Sequence, residues 1–273
     1  MSKVSLISTV YNGELYIDDL LRNISEQTLT EFEYLIVDDG STDNSVNKIK
    51  DLQSRYPFVR LLLAGRVGRV KALNLAVANA SGEYIANLDI DDLIYETRLQ
   101  LQSEYLDAHP SVGVLGGAYV INQQIRQERI IRKPPLTHVE LKKQLIRLVP
   151  FSHSVVMFRK EAWQKVGGYK EVANEDLYLW FEMVKGGWQL AALPQVIGEH
   201  RKHQNSYWHK NFSYLKRQYE LACLQAQIAK KLCCPYYERF IPFGRIVYAL
   251  QPTFLKTIIR KQGFRINEEK IAT

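Results

Sequence analysis

The stretch GEYIANLDIDD, residues 82–92, decides the fold prediction. Its apolar half is typical of a buried β-strand, and Asp89, Asp91 and Asp92 follow within four positions. Ionised carboxylates this close together repel one another and are costly to desolvate without a partner. Their place after a buried strand favours a ligand-binding strand end. The alternative is a capped turn in which Asp92 starts the next helix.

Strands and helices alternate on the N-terminal side of this stretch. The predicted strands are residues 3–10, 31–38, 59–64 and 83–89. The helices between them carry Leu15, Leu20, Leu21 and Ile24, then Val46, Ile49 and Leu52, then residues 69–80. This alternation predicts an α/β fold with a parallel sheet and helices on both faces. Ligands of such sheets bind beyond the carboxyl ends of the strands.

The pattern is looser after residue 96. Helices are predicted over 97–108 and 175–187, and strands over 112–121 and 154–160. Beyond about residue 208 the chain is helical and basic, with aromatic residues between the lysines and arginines. We therefore predict an α/β domain over residues 1–207 and a basic helical extension over 208–273.

Composition narrows the choice of partners. The 273 residues are 46% hydrophobic, which is ordinary for a globular core, and the net charge of +7 indicates an anionic partner such as nucleic acid, nucleotide phosphate or an anionic membrane. The sequence has no 18-residue apolar run, and its apolar N-terminus is too short for a signal peptide. Three clustered cysteines without metal-type spacing favour a reducing, cytoplasmic setting.

The segment VDDGSTDNS, residues 37–45, also follows a predicted strand. Ser41 or Asp43 is expected to cap the next helix, and Gly40 to form the turn. Two consecutive acids, Asp38 and Asp39, exceed what one cap requires. One of them is therefore expected to accept a hydrogen bond from a nucleobase N–H group.

The segment GRVGRVKALN, residues 65–74, combines glycine with positive charge ahead of a helix. Gly68 at the helix start brings backbone N–H groups near a phosphate, and Arg66, Arg69 and Lys71 supply charge. The alternative for each basic side chain is a solvated helix face.

Carboxylates also suggest a metal and a base. Asp89, Asp91 and Asp92 are suited to Mg²⁺ or Mn²⁺, with substrate phosphates completing the shell. Glu175 and Asp176 begin a predicted helix, where acids favour the helix dipole, and the functional alternative is a general base.

A last polar segment, EHRKHQNS, spans residues 199–206. It contributes a candidate metal ligand, His203, or a phosphate clamp that includes His200, Arg201 and Lys202. The alternative is a set of structural or merely exposed side chains.

Taken in order, these motifs resemble the family 2 inverting glycosyltransferases with a GT-A fold. The resemblance covers residues 1–206. It rests on STVYNGELYI (8–17), VDDGSTD (37–43), the GxxxALN run (68–74) into GEYIANLDIDD, SHSVVMFRKEAWQKVGGY (152–169), NEDLYLWFEMVKGGW (174–188) and HRKHQNS (200–206).

The resemblance implies roles for individual residues. Thr9 and Tyr11 would flank the nucleobase, Tyr11 by stacking, and Asp39 with Asp38 would bind its edge. Asp89, with Asp91 or Asp92, would hold ribose and metal, and Asp176 would be the base. Many relatives carry Asn where this chain has Arg66, and an arginine there is suited to pyrophosphate.

The implied activity is metal-dependent, inverting transfer of a sugar. The donor would be a nucleotide-diphosphate sugar, UDP- or dTDP-type favoured, and the acceptor a hydroxyl of a cell-surface glycan, free or lipid-linked. Residues 208–273 would either rest on the inner face of the plasma membrane or pack on the catalytic domain.

Three other functions explain the sequence less well. A sugar nucleotidyltransferase would need a glycine-rich basic loop near the N-terminus, which STVYNGELY is not. A non-catalytic sugar-nucleotide-binding module would not need both Asp91 and Asp176. A nucleic-acid binder explains the charge but leaves the strand-end acids unexplained, so no nucleic acid is expected as a partner.

Overall fold

The computed structural model describes residues 2–124, 127–202, 214–251 and 268–271. The strands are β1 (Val4–Val10), β2 (Phe32–Asp38), β3 (Val59–Leu63), β4 (Tyr84–Asn87), β5 (Leu93–Ile94), β6 (Val112–Gln123), β7 (Glu128–Arg132), β8 (Met157–Arg159), β9 (Gln189–Lys202) and β10 (Glu268–Ile271). The helices are α1 (Ile17–Ser25), α2 (Ser45–Arg55), α3 (Arg69–Asn79), α4 (Arg98–Ala108), α5 (His138–Leu145), α6 (Lys160–Val166), α7 (Glu175–Lys185), α8 (Tyr214–Lys231) and α9 (Gly244–Leu250).

The strands form one mixed sheet in the order β10-β7-β6-β8-β4-β1-β2-β3, with β9 beside β6 and β5. The N-terminal half is parallel, because β1 pairs with β2 and β4, and β2 pairs with β3, each through a helical crossover. Strand β8 enters antiparallel between β4 and β6. The predicted α/β fold is confirmed, and the longest pairings are parallel.

Buried side chains form one hydrophobic cluster on each side of the sheet. One cluster contains Trp180 and Phe181 of α7 and the buried face of α3, and the other contains Leu20 of α1 and Leu99 of α4. Hydrophobic burial of this extent is the main force that holds helices against a sheet. The apolar runs of β1, β2 and β4 have both faces covered in this way, which explains why they do not alternate with polar residues.

Helix α8 belongs to the same core. Leu224 and Ile228 lie in the cluster of Trp180, and the Gln225 amide donates to the Leu145 and Leu148 carbonyls at 3.0 and 3.2 Å. The packed alternative therefore holds for this part of the extension. The boundary at 207/208 lies outside the described residues and stays a prediction. No described helix is both long and apolar enough to cross a membrane.

Local details differ from the sequence prediction at two places. Helix α1 begins at Ile17, so Leu15 precedes it and is exposed. The predicted strand over 154–160 is divided, because a 3-10 helix (His153–Val155) precedes β8. That short helix turns His153 and Ser154 toward the strand ends, which an extended strand through these residues would not do.

Candidate active site

A cleft of about 240 Å³ lies beyond the carboxyl ends of the central strands. Its walls come from α3, β4, β6, β7, α7 and β9 and the loops between them. The lining residues are Arg69, Asp89, Tyr119, Ile121, Arg132, Val149, Phe151, Ser152, His153, Asn174, Glu175, Asp176, His200 and Lys202. The predicted acids Asp89 and Asp176 are thus brought to one site, together with basic side chains from distant segments.

Arg69 is the centre of the cleft wall. Its Nη2 donates to Asp89 Oδ1 at 2.8 Å, and its Nε donates to Glu175 Oε1 at 2.9 Å. Burial by itself would raise the pKa of the Asp89 carboxyl, but Arg69, with smaller contributions from His153 and His200, holds that pKa well below its usual range. Arg69 is therefore a bridge between the end of β4 and the start of α7, rather than the free phosphate-binding charge that the sequence suggests.

A layer of buried polar groups supports this bridge. His153 lies with Nδ1 3.2 Å from Arg69 Nη2, and its Nε2 lies 2.9 Å from Asn87 Nδ2 and 3.0 Å from the Tyr169 hydroxyl. Burial lowers the pKa of His153 to about 4, so the imidazole is neutral at pH 7. A neutral ring beside a guanidinium accepts a hydrogen bond without adding charge.

Asp176 lies at the start of α7, one residue after Glu175. Burial first, and then the negative charge of Glu175, raise the pKa of Asp176 to about 7. The Leu177 N–H donates to Asp176 Oδ1 at 2.7 Å, which fixes the carboxylate at the helix N-terminus. Asn174 takes a left-handed conformation with φ 55° as the chain enters the helix. A partly buried carboxylate with a pKa near neutrality suits proton transfer.

Asp92 has a supporting position. Its side chain is fully buried, and its carboxylate accepts hydrogen bonds from Ser154 Oγ, His200 Nδ1 and the Arg201 backbone N–H. Burial raises the pKa of Asp92. These contacts give Asp92 a role in orienting His200, and its role as a metal ligand stays a prediction.

Asp91 and Asp89 differ from Asp92 because both are partly exposed. Asp89 still has its second oxygen against Ser154 Oγ at 3.2 Å. Within the described residues, no group of three His, Cys, Asp or Glu side chains forms a ready metal centre. His203, the other predicted ligand, lies outside the described residues.

The three acids of VDDGSTD accept backbone hydrogen bonds in and around the tight turn after β2. Asp38 accepts the Gly40 and Ser41 backbone N–H groups at 3.0 and 3.1 Å, and Gly40 has φ +78°. Asp39 accepts the Val67 and Gly68 N–H groups through Oδ1 at 2.7 and 2.9 Å. Asp43 accepts the first-turn N–H of Ser45 at 3.0 Å, close to its predicted capping role.

The remaining predicted donor contacts lie at the end of β1, after β3 and in α3. Thr9 is near the end of β1, and Tyr11 follows it with a half-exposed ring that faces Arg66. Lys71 is exposed, lies 3.6 Å from Glu171 and does not line the cleft. The structure thus gives no support for a phosphate contact by Lys71.

Sequence reasoning missed several residues of the site. The sequence analysis gives no site role to His153, Ser154, Tyr169 or Arg132, although the first three lie in the motif of residues 152–169. Arg132 donates to the Val149 carbonyl at 3.0 Å and lines the cleft from the end of β7. The proline pair Pro134–Pro135, which begins two residues after Arg132, is the signal in the sequence that a strand ends there.

Comparisons with known proteins agree with this architecture. Residues 5–167 match the sequence profile described as Glycosyl transferase family 2. The chain is 26% identical to the putative glycosyltransferase EpsE of Bacillus subtilis, over 92% of this chain and 90% of that protein. It is 29% identical to the amylovoran biosynthesis glycosyltransferase AmsE of Erwinia amylovora, over 71% of this chain and 74% of that protein.

Two solved structures share the fold. S. aureus TarS 1–349 in complex with UDP-GlcNAc has a TM-score of 0.68 at 18% identity, over 97% of this chain and 77% of that chain. The mannosyltransferase PcManGT from Pyrobaculum calidifontis, in complex with GDP-Man and Mn²⁺, has a TM-score of 0.64 at 20% identity, over 94% and 73%. These likenesses confirm the predicted GT-A fold.

Proposed function

The chain belongs to glycosyl transferase family 2, and on that premise we propose that it moves a sugar, with inversion, from a nucleotide-diphosphate sugar to a glycan hydroxyl. The observation that carries the proposal is Asp176, a carboxylate with a pKa of about 7 in the same cleft as the strand-end acid Asp89. A general base for a neutral hydroxyl needs a pKa close to the working pH.

The chemical step is a single displacement. Asp176 takes the proton of the acceptor hydroxyl while that oxygen attacks the anomeric carbon. The bond from the anomeric carbon to the diphosphate oxygen breaks on the opposite face, and the nucleoside diphosphate leaves. Arg69 keeps Glu175 and Asp89 in fixed positions through its two ion pairs. Rigid placement of this kind lowers the entropic part of the barrier.

The donor lies along the strand ends in this proposal. Asp89 contacts the ribose, and the base end of the nucleotide lies against Thr9, Tyr11 and the turn that holds Asp39. Asp38 shapes that turn through its hydrogen bonds to Gly40 and Ser41. UDP or dTDP sugars are favoured.

The protein offers a divalent cation, Mg²⁺ or Mn²⁺, only a few ligands. Asp91, with Asp89, supplies hard carboxylate oxygens, and Mg²⁺ is commonly held by one or two carboxylates with substrate phosphates completing its shell. When bound, the cation neutralises charge on the departing diphosphate.

The acceptor is a growing cell-surface glycan of the lipopolysaccharide, capsule or exopolysaccharide type, free or lipid-linked. The likeness to a glycosyltransferase of amylovoran biosynthesis supports this class. Arg132 and Tyr119 line the cleft. Arg132 is expected to offer a hydrogen-bond donor to the acceptor sugar.

Contact with a membrane surface belongs to the same proposal. An exposed aromatic patch, defined by Tyr236, Tyr237, Phe240 and Ile241, lies between α8 and α9. The Tyr236 and Phe240 rings are 5.2 Å apart, and Arg239 lies 5.5 Å from the Tyr236 ring centre. Aromatic side chains beside basic ones are typical of protein surfaces that bind the interface of anionic bilayers.

Nucleotide binding and transfer test the chemistry. Calorimetry with UDP, GDP, dTDP and CDP, with and without Mn²⁺, should show metal-dependent binding of one of them, and Asp91→Ala should lose it. Asp176→Asn should bind the same nucleotide nearly normally but transfer no sugar. Near-normal turnover by Asp176→Asn would remove it as the base. A folded protein that binds no nucleotide would overturn the proposed function, whereas binding without transfer would favour the non-catalytic sugar-nucleotide-binding module.

Vesicle sedimentation tests the membrane contact. The full chain with Tyr236, Tyr237 and Phe240 changed to Ser should sediment less than wild type with vesicles that contain anionic lipid. Leu136→Ser with Val139→Ser, which changes exposed apolar residues elsewhere, is the control. Equal sedimentation of the wild type and the triple variant would end the membrane proposal. Truncation is unsuitable because α8 is part of the core.

A further inference from the structure

Arg66 covers the aromatic ring that was expected to stack on the nucleobase. The guanidinium carbon of Arg66 lies 3.4 Å from the centre of the Tyr11 ring, which is the distance of direct stacking. Arg66 Nη1 also donates to Asp39 Oδ2 at 3.0 Å. The two contacts hold the guanidinium flat against Tyr11, and its side chain is still 57% exposed.

The carboxylate that was expected to bind the base edge is closed off by the same arrangement. Asp39 Oδ1 accepts two backbone N–H groups, and Oδ2 accepts Arg66, which leaves the side chain 6% exposed. A base could reach this carboxylate only after Arg66 had left both Asp39 and Tyr11. Asp39 is therefore a positioning residue for Arg66.

We propose that Arg66 is the platform on which the donor's nucleobase stacks, with Tyr11 behind it and Asp39 fixing its plane. The assignment rests on the proposed function, because it names the residue that recognises the base in the same donor site. Bases stack on arginine planes as well as on aromatic rings, since the guanidinium is flat, delocalised and weakly hydrated. The solvent face of Arg66 takes the place of the Tyr11 ring.

Arg66 as a pyrophosphate clamp is the competing role, and the geometry disfavours it. Phosphate recognition by arginine uses the donor edge of the guanidinium and its full positive charge. In this chain Nη1 is already committed to Asp39, whose negative charge offsets that of Arg66. Arg66 also lies outside the residues that line the cleft around Asp89.

The two roles predict different behaviour of Arg66→Lys, which keeps the charge and loses the plane. Calorimetry in Mg²⁺ compares wild type, Arg66→Lys and Arg66→Asn, with UDP, dTDP, GDP and CDP as ligands and inorganic pyrophosphate as the base-free probe. Base stacking predicts that both variants bind the preferred nucleoside diphosphate roughly tenfold or more weakly. Both variants should bind pyrophosphate within about twofold of wild type, because pyrophosphate has no base to stack.

Two further variants make the comparison secure. Tyr11→Leu removes the ring behind Arg66 and should weaken the nucleoside diphosphate in the same selective way. Lys50→Asn removes one exposed charge from α2 and should change neither ligand. Thermal unfolding of each variant checks that it is folded.

The outcomes separate this assignment from the proposed function. Unchanged nucleotide binding by Arg66→Asn, or an equal loss for pyrophosphate, would overturn the platform assignment alone. Retention of nucleotide affinity by Arg66→Lys would do the same, since charge without a plane would then suffice. Failure of the wild type to bind any nucleoside diphosphate would overturn the proposed function, and this assignment with it.

Discussion

The pH dependence of sugar transfer depends on the pair Glu175 and Asp176. Asp176 must be ionised to take a proton, and its pKa is raised from 3.8 to about 7. About half of the protein is therefore competent at pH 7, about a tenth at pH 6 and about a hundredth at pH 5, because each unit below the pKa costs a factor of ten. A plot of log kcat/KM against pH should rise with unit slope and level off above pH 7.

The change Glu175→Gln should move the acid limb of this profile, which is the part that rises with pH, to lower pH. After burial, Glu175 is the largest cause that raises the pKa of Asp176. Glutamine removes that negative charge, and the loss of one neighbouring like charge at a partly exposed site is expected to lower the pKa of Asp176 by about one unit. Glutamine has the same shape, and its carbonyl can still accept the hydrogen bond from Arg69 Nε.

The assay is an initial-rate pH profile with the donor identified by calorimetry. Glu171→Gln is the matched control, because it removes one acidic charge from an exposed position five residues before Asp176 and should leave the limb unmoved. The reasoning is refuted if the wild-type limb lies near pH 4, or if Glu175→Gln leaves a limb near pH 7 in place.

Four other outcomes follow from the structure. Asp176→Asn should be more stable than wild type at pH 8 but not at pH 4. In the wild type the pKa of this carboxyl is raised from 3.8 to about 7. The protonated carboxyl therefore stabilises the folded wild type fully below pH 3.8, and this stability is lost as pH rises through 7. Each pKa unit is 1.36 kcal/mol, so the variant and the wild type should differ in unfolding free energy at pH 8 by at most about 4 kcal/mol, and partial exposure reduces this to about 1 to 2 kcal/mol. Urea titration measures the difference, and equal stability of variant and wild type at both pH values would contradict the raised pKa. Ser154→Ala should lower the unfolding free energy by about 1 to 3 kcal/mol, since buried Asp92 loses a hydrogen-bond donor, and a loss below about 0.5 kcal/mol would argue against that contact. Ile228→Ala should cost about 2 to 4 kcal/mol because Ile228 is buried against the core, whereas Leu250→Ala at an exposed position should cost little; equal small losses would mean that α8 is peripheral. Gly40→Ala should lower stability by about 1 kcal/mol or more, because φ is +78° and a Cβ would lie 3.1 Å from the Arg66 backbone nitrogen, and an unchanged melting temperature would contradict that geometry.

The sequence by itself determined the architecture and predicted the place of the chemistry. Buried apolar runs that alternate with helical periodicity predict an α/β sheet, and polar clusters at run ends predict a site at the strand ends. The structure confirms the sheet and brings Asp89 and Asp176 into one cleft, although 87 positions, the difference of their numbers, separate them; that this cleft carries the chemistry stays a prediction. These two outcomes follow because strand and helix periods are local properties and because parallel strands place their carboxyl ends at one edge.

Only the tertiary structure decided which partner each charged side chain takes. Arg69 pairs with Glu175, 106 positions away, so it is a bridge and not a free phosphate ligand. Arg66 stacks on Tyr11 and closes Asp39, and Asp92 is buried under Ser154 and His200. Hydrogen-bond partners are set by the ångström-scale convergence of loops from distant segments. Local sequence patterns do not show which distant side chains come within hydrogen-bond distance of each other. An unpaired buried charge is costly, but this cost selects a partner only after folding has brought the side chains together.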